Sequence, residues 1–349
     1  MSSPDLDDYH WLIGPEAERW LAEIAADTRS IVAQTSRLRR ELSPQRTHLV
    51  LEQIALRSRA AAKFASAERM FLTPVGFEQA TDQWVAAHKA ARFPPGLLAD
   101  LCCGIGGDLI ELARRGAARG IDRDPIVALL ACANLRVLDS HAITAEVIAA
   151  DVAEASVSDV AAWHIDPDRR PRGSRTSRVE FSEPGPEVIR AMLARQPAGA
   201  VKLAPAATLD EPWWQEAERE WISRGGQCRQ LVAWFGPLAR NAGRRSATIL
   251  RATGVPRTIV EQSVAPLETA TQIGRYLFEP DAAVLAADLT DTLAAEQDLA
   301  RLTDGAAYLT GDRPLSDPAL AGFEIQEVVP FDIKQLKQAV RTRRWGRLE

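Results

Sequence analysis

One stretch constrains the fold more than any other: Leu97-Leu98-Ala99-Asp100-Leu101-Cys102-Cys103-Gly104-Ile105-Gly106-Gly107-Asp108. An apolar run ends in a carboxylate, turns through glycines and opens into a helical pattern. Glycine reaches positive φ without steric cost and lets the backbone lie close to a ligand. In a doubly wound parallel sheet that combination belongs beyond the carboxyl end of a strand. The surrounding chain agrees. Between residues 96 and 253, short apolar runs at 97–101, 118–121, 145–149, 162–165, 200–203, 230–234 and 247–251 read as strands. Helical runs such as 107–115, 125–138 and 185–195 separate several of them. This alternation predicts an α/β, Rossmann-like domain.

The loop also bears on the ligand. A dinucleotide site asks for G-x-G-x-x-G. Here Gly104 and Gly106 fit, but Leu109 stands at the third glycine position. Asp100, four residues before the first glycine, is foreign to that pattern; D-x-x-x-G-x-G is the pattern by which class I methyltransferases hold S-adenosylmethionine. Asp100 is then expected near the cationic methionine end, by Coulomb attraction. Asp122 ends the second strand, 22 residues on, where a carboxylate accepts from ribose hydroxyls. Asp151 ends the third strand, the position that in this fold is expected to meet an adenine amino group. Any one such acid is commonly a turn residue; the set together with the glycines points to the cofactor.

The fourth strand leads into Trp163-His164-Ile165-Asp166-Pro167-Asp168-Arg169-Arg170. Methylases of exocyclic amines carry [N/D/S]-P-P-[F/Y/W] here, where the first side chain and the prolyl carbonyl accept from the amine and the aromatic ring stacks the base. Asp166-Pro167 fits the first half. Asp168 and Arg169 depart from the second. Arginine stacks on bases and pairs with phosphate, and residues 168–181 carry five Arg against two acids. Arg169 and Arg170 are therefore substrate-binding candidates, with an exposed loop paired to nearby acids as the alternative. Asp168 is a candidate general base. Trp163 and Trp213 are candidate stacking residues, although most of the tryptophans read as core. Lys202 reads as an exposed lysine at a strand end, with a place facing the same cleft as the alternative.

Residues 1–95 read as a helical domain, with starts at Gly14-Pro15 and Ser43-Pro44. Trp20, Leu21, Ile24, Ile31 and Leu38 recur at helical spacing there. Between 29 and 69 stand nine Lys/Arg and three Asp/Glu, either a solvated face or a phosphate-contacting one. Residues 254–349 read as a small α/β domain, strand-like at 258–260, 276–278 and 325–329, helical at 281–303 and 332–342. Its middle, 279–327, has eleven acids to two cations, and its tail, 334–349, six cations to one acid.

The wider composition excludes other classes. With 42 Lys+Arg against 47 Asp+Glu, net −5, the chain is no uniformly basic nucleic-acid binder, though a local basic face remains open. No apolar run is long enough for a membrane helix. Asp5, Asp7 and Asp8 stand where a signal peptide needs cations, so a cytoplasmic protein is expected. Cys102, Cys103, Cys132 and Cys228 lack metal-ligand spacing, and no metal is expected.

Three segments carry a family resemblance. Asp100 through Asp108, Gly120-Ile121-Asp122-Arg123-Asp124-Pro125 and Ile165 through Arg170 are similar to bacterial class I methyltransferases with a C-terminal THUMP-like domain. Their core is related to trimethylguanosine synthase, which methylates guanine N2 of RNA caps. Phe77-Glu78-Gln79-Ala80-Thr81-Asp82-Gln83-Trp84, Tyr276-Leu277-Phe278-Glu279-Pro280-Asp281 and Arg343-Arg344-Trp345-Gly346-Arg347 also resemble that family. The resemblance covers roughly residues 70–349. It implies S-adenosylmethionine bound at Asp100, Cys102, Gly104, Gly106, Asp108, Asp122 and Asp151. It further implies an RNA base amine, guanine N2 favoured, as the methyl acceptor at Asp166, Pro167 and Asp168. A non-catalytic RNA-binding or assembly factor that keeps the fold is the alternative, and a small-molecule or protein methyltransferase a third reading.

Overall fold

The N-terminal helices begin where capping chemistry sets them. In this computed structural model, residues 3–139, 144–168, 178–265, 267, 269–303, 307–329 and 332–343 are described. Helix α1 (Leu6–Leu12) is opened by a capping box, in which Asp5 accepts from the Asp8 amide and Asp8 from the Asp5 amide. Helix α2 (Pro15–Ala25) starts on Gly14-Pro15 as the sequence predicts, and α3 (Ile31–Leu38) starts on Ser30. Helix α4 (Pro44–Ala60) starts on Ser43-Pro44. Leu12, Trp20, Leu21, Ile24, Leu38, Leu49 and Val50 form one core. Ile31 departs from the expected stripe and is 60% exposed, because the chain breaks at 26–30 and the Ser30 cap restarts the helix in a new phase.

Two short helices, α5 (Pro74–Gln79) and α6 (Gln83–Ala90), lead into the sheet. Strand β1 (Leu98–Leu101), helix α7 (Gly107–Ala113), strand β2 (Ala118–Asp122), helix α8 (Pro125–Asn134) and strand β3 (Ala145–Ala149) build the first half. Strand β4 (Ala162–Ile165), helix α9 (Pro186–Arg195) and strand β5 (Gly199–Leu203) begin the second. β6 (Glu218–Arg224), β7 (Gln227–Trp234), β8 (Arg245–Leu250) and β9 (Arg257–Val260) complete it. The order is β3-β2-β1-β4-β5-β7-β6-β8-β9. β1 lies parallel between β2 and β4, so the strand order reverses beside the glycine loop. β7 runs antiparallel to both β5 and β6.

Strand β6 is absent from the sequence expectation. Its Glu-Arg-Glu start hides it, since Glu218 and Glu220 are buried. Glu220 accepts from His88 Nε2 at 2.9 Å, Thr248 Oγ1 at 2.6 Å and Trp234 Nε1 at 2.8 Å. Glu218 pairs with Arg92 and accepts from the Arg240 and Asn241 amides at 2.7 and 2.8 Å. Buried carboxylates are tolerated when each is paired in this way.

Two compact units result rather than three: Met1–Gln262 with Ala282–Leu289, and Ser263–Asp281 with Thr290–Glu349. The N-terminal helices share the first unit with the sheet. Asn134 of α8 bonds the Phe71 amide and the carbonyls of Phe71 and Ile105, and Arg136 bonds the Ile13 carbonyl. Strand β9, expected to open the last domain, instead pairs with β8 in the large sheet. The second unit contains β10 (Tyr276–Pro280), α11 (Thr290–Gln297), β11 (Ala300–Arg301), β12 (Leu309–Gly311), β13 (Leu320–Glu324) and α12 (Ile333–Arg343); α10 (Ala282–Ala286) belongs to the first. Its sheet order is β11-β12-β10-β13. Residues 325–329 form no strand: β10 ends its pairing with β13 at Tyr276 opposite Glu324. No helix among the described residues is long and apolar enough to cross a membrane.

Candidate active site

Glycines and carboxylates at the strand ends build one cleft of about 480 Å³, within the size range of small-molecule sites. Asp100, Cys102, Gly104, Asp122, Asp151, Asp166, Pro167 and Asp168 all line it. The loop after β1 turns through positive φ at Cys102 (56°), Gly104 (55°) and Gly106 (88°), and Gly106 opens α7. A Cβ on Gly104 would meet nothing within 4 Å, whereas one on Gly107 would come to 3.0 Å from the Thr81 carbonyl. The loop is thus packed beneath and open above. Gly104 N–H donates to Asp122 Oδ2 at 2.9 Å, and Asp124 N–H to Asp122 Oδ1 at 3.0 Å. Burial raises the Asp122 pKa, against the pull of these two amides. Asp151 accepts from the Ala153 amide at 2.8 Å. Burial pushes the Cys102 thiol far up, toward its protonated form.

Behind the loop lies a buried polar chain that sequence reasoning missed. Asp100 is 1% exposed. Its Oδ1 lies 2.7 Å from His164 Nδ1, while its Oδ2 is buried with no hydrogen-bond partner. His164 sits directly opposite Asp100 in the β1–β4 register. Its Nε2 is 3.1 Å from Lys89 Nζ, which pairs with Asp108 Oδ1 at 2.7 Å. Thr81 donates to Asp108 Oδ2 at 2.7 Å. Asp108 therefore lines the cleft with both oxygens already engaged, holding α6 to α7. Burial is the largest influence on each group. It lowers the Lys89 pKa and raises that of Asp100, while the Lys89 ammonium keeps Asp108 below the usual carboxylate range.

At the end of β4, Asp166 pairs through Oδ2 with Lys202 of β5, and Lys202 also donates to the Gln79 carbonyl at 3.1 Å. Lys202 is only 7% exposed, contrary to the expectation of an exposed lysine. Asp168 forms an antiparallel bridge to Glu183, whose carboxylate meets Arg123 at 2.7 Å. Arg169 and Arg170, with Arg172 and Arg175, lie outside the described residues. Trp163 is a correction. It is wholly buried, donates to the Gln196 carbonyl at 2.8 Å and packs so tightly on Gly199 that a Cβ there would fall 2.4 Å from its ring. It cannot stack a substrate. Trp213 stacks on Trp214 with ring centroids 4.0 Å apart. Much of the N-terminal basic run is spent internally: Arg29 and Arg37 pair with Asp27, Lys63 bonds the carbonyls of Phe77, Glu78 and Ala80, and Arg69 pairs with Asp139. No cluster of three metal-ligating side chains occurs among the described residues.

Comparison with known proteins decides the family. An S-adenosylmethionine-dependent methyltransferase of Mycobacterium tuberculosis, the same in two strains, is 33% identical over 304 residues, covering 83% of this chain and 81% of the relative. The chain belongs to the S-adenosylmethionine-dependent methyltransferases. The crystal structure of a methyltransferase from Porphyromonas gingivalis shares the methyltransferase's fold, with a TM-score of 0.77 and 19% identity over 98% of this chain and 87% of that one. Residues 5–60 match a family described as a domain of unknown function, DUF8688. S-adenosylmethionine is the methyltransferase's cofactor, and the cleft fits it on two structural grounds. A glycine cradle is open toward ligand, and a buried carboxylate oxygen lacks a partner. When bound, it supplies an electrophilic methyl group on a sulfonium.

Proposed function

We propose that this methyltransferase methylates an exocyclic amine of an RNA base, with guanine N2 favoured. The reading rests on one observation above others: Asp166-Pro167 lies at the end of β4 in the same cleft as the glycine loop, with Asp166 held by Lys202. In this reading Asp100, Cys102, Gly104, Gly106, Asp122 and Asp151 hold the cofactor. Asp122 receives the ribose hydroxyls, and Asp151 the adenine amine. Lys202 occupies Asp166 Oδ2 and leaves Oδ1 to accept from the substrate amine beside the Pro167 carbonyl. Two acceptors on the amine protons turn the nitrogen lone pair toward the methyl donor. Transfer to an amine depends chiefly on such in-line placement. Asp168, bridged to Glu183, then serves the loop geometry more than proton removal.

Phosphate contact falls to Arg169, Arg170 and the arginines after them, and to the basic tail. Lys334, Lys337 and Arg341 are exposed there, and the second unit is read as THUMP-like on its sequence resemblance. A second reading has its own support. The described lining of the cleft carries nine carboxylates and one cation, Arg123, an environment that favours an uncharged or cationic amine over a phosphate-bearing substrate. Labelled methyl transfer to RNA from cells lacking the protein, followed by nucleoside mass spectrometry, separates the two. A methylated guanosine absent before treatment is expected. No incorporation into RNA, with incorporation into a small-molecule fraction, overturns the RNA reading.

A further inference from the structure

The cofactor loop of this fold is ordinarily accounted for by its glycines and strand-end acids. Here a second set of residues stands behind Asp100, from elements that line no part of the loop. Lys89 comes from α6 and His164 from the middle of β4. Both are almost wholly buried, on elements whose other buried residues are apolar: Val85, Ala86 and Ala90 of α6, and Ala162, Trp163 and Ile165 of β4. Burying a lysine and a histidine is costly unless each is paired, so their geometry has a use to be found.

The hydrogen-bond directions are fixed by chemistry. An ammonium has three donors and no acceptor. Lys89 gives one hydrogen to Asp108 Oδ1 at 2.7 Å and approaches His164 Nε2 at 3.1 Å. With Lys89 protonated, as its Asp108 partner favours, that nitrogen is the acceptor, and the ring is neutral with its proton on Nδ1. Nδ1 in turn donates to Asp100 Oδ1 at 2.7 Å. The orientation of Asp100 follows. One oxygen is tied down, and the other, Oδ2, is buried without a partner in a residue that lines the cleft. Charge follows as well. Lys89 offsets Asp108 and His164 is neutral, so an ionised Asp100 has no cation of its own, and burial raises its pKa. A ligand bearing a cation at that point favours the carboxylate and gives Oδ2 its partner.

We propose that His164, held in its Nδ1–H tautomer by Lys89, is a positioning residue that aims Asp100 Oδ2 at the ammonium of the cofactor's amino-acid portion. The site thereby selects ligands carrying that ammonium over nucleosides lacking it. His164 touches no ligand itself; it acts through Asp100.

Two ligands and two variants test this on the full chain without any turnover. S-adenosylhomocysteine carries the ammonium, whereas methylthioadenosine keeps the nucleoside and thioether but lacks the amino-acid portion. A hydrogen bond to a charged group contributes about 1.5–3 kcal/mol, so His164→Leu is expected to weaken S-adenosylhomocysteine about tenfold or more in calorimetry. Methylthioadenosine should change by less than about twofold, because its contacts do not involve Asp100. His164→Asn places an amide N–H where Nδ1 stood, and should recover affinity to within about threefold of wild type. In the unmodified protein, nitrogen-15 spectra of the imidazoles should show His164 with a protonated Nδ1 and a bare Nε2. Equal losses for both ligands in His164→Leu overturn the proposal, as does failure of His164→Asn to recover binding. A wild-type ring protonated on Nε2 overturns it as well, and that measurement needs no variant to fold.

Discussion

Asp122 and Asp166 make contrasting demands on the same cleft. Asp122 is set by two backbone amides, with the neighbouring Arg123 acting on it only by Coulomb attraction, and in the proposed reading its carboxylate takes a ligand's hydroxyl donors. Asp122→Ala should weaken S-adenosylhomocysteine by about tenfold or more, since hydrogen bonds to a charged carboxylate are worth about 1.5–3 kcal/mol. Asp166→Ala should leave that affinity unchanged and lower the methylation rate, because its partner is the acceptor. Cofactor binding measured on Asp166→Ala checks the separation; loss of affinity there would place Asp166 on the wrong side of the cleft. That these acids share one cleft was legible in the sequence. A carboxylate closing each of three apolar runs is a pattern that side-chain chemistry makes readable. Lys89, His164 and Lys202 were not, because a single polar residue inside an apolar run gives no sign of its partner until the strands are placed in register. The one hint was their position: His164 and Lys202 interrupt the buried runs Ala-Trp-His-Ile and Ala-Val-Lys-Leu.

Strands and helices were easier or harder to read according to what their buried faces carry. The seven apolar runs became strands of the large sheet, whereas β6 was hidden by Glu218 and Glu220. Glu220 makes β6 acid-sensitive. Burial opposes the Glu220 charge, but His88, Thr248 and Arg92 outweigh it and hold the pKa at about 2, against an ordinary 4.5. The carboxylate is favoured in the folded state. Its contribution, on the order of 3 kcal/mol, is full above pH 4.5, declines as pH falls through the folded value and is gone below about pH 2. Denaturant midpoints from pH 6 to 3 should therefore fall less steeply in Glu220→Gln, which starts from a lower stability. A parallel pH dependence in both proteins would contradict this. The contact of Trp163 with Gly199 gives a second check. Gly199→Ala should cost about 1–3 kcal/mol by overpacking. Combined with Trp163→Phe it should cost less than the sum, because the ring that meets the new Cβ is smaller. Strict additivity would mean that the two do not touch.

Over the whole molecule the sequence suggested three domains, and the fold has two compact units. The difference has a physical origin. Composition shifts near residue 95, from basic helices to an apolar sheet, but Asn134 and Arg136 stitch those helices to α8. The C-terminal boundary is blurred because β9 completes the large sheet and 282–289 returns to it. The N-terminal helices and the sheet should therefore unfold in one transition. Saturating S-adenosylhomocysteine, at about a hundred times its Kd, should add about 2.7 kcal/mol to that transition. Scanning calorimetry would show the first unit's transition shifted. A separate, ligand-insensitive melting of residues 1–95 would contradict the two-unit description.

The account depends most on a cleft in which the β2 carboxylate holds the cofactor and the β4 carboxylate holds the acceptor. Titration calorimetry of S-adenosylhomocysteine into the wild-type, Asp122→Ala and Asp166→Ala proteins tests it most directly. The account predicts one saturable site, weakened about tenfold or more by Asp122→Ala and by less than about twofold by Asp166→Ala. Wild-type affinity in Asp122→Ala, or no binding heat in any of the three, would contradict it.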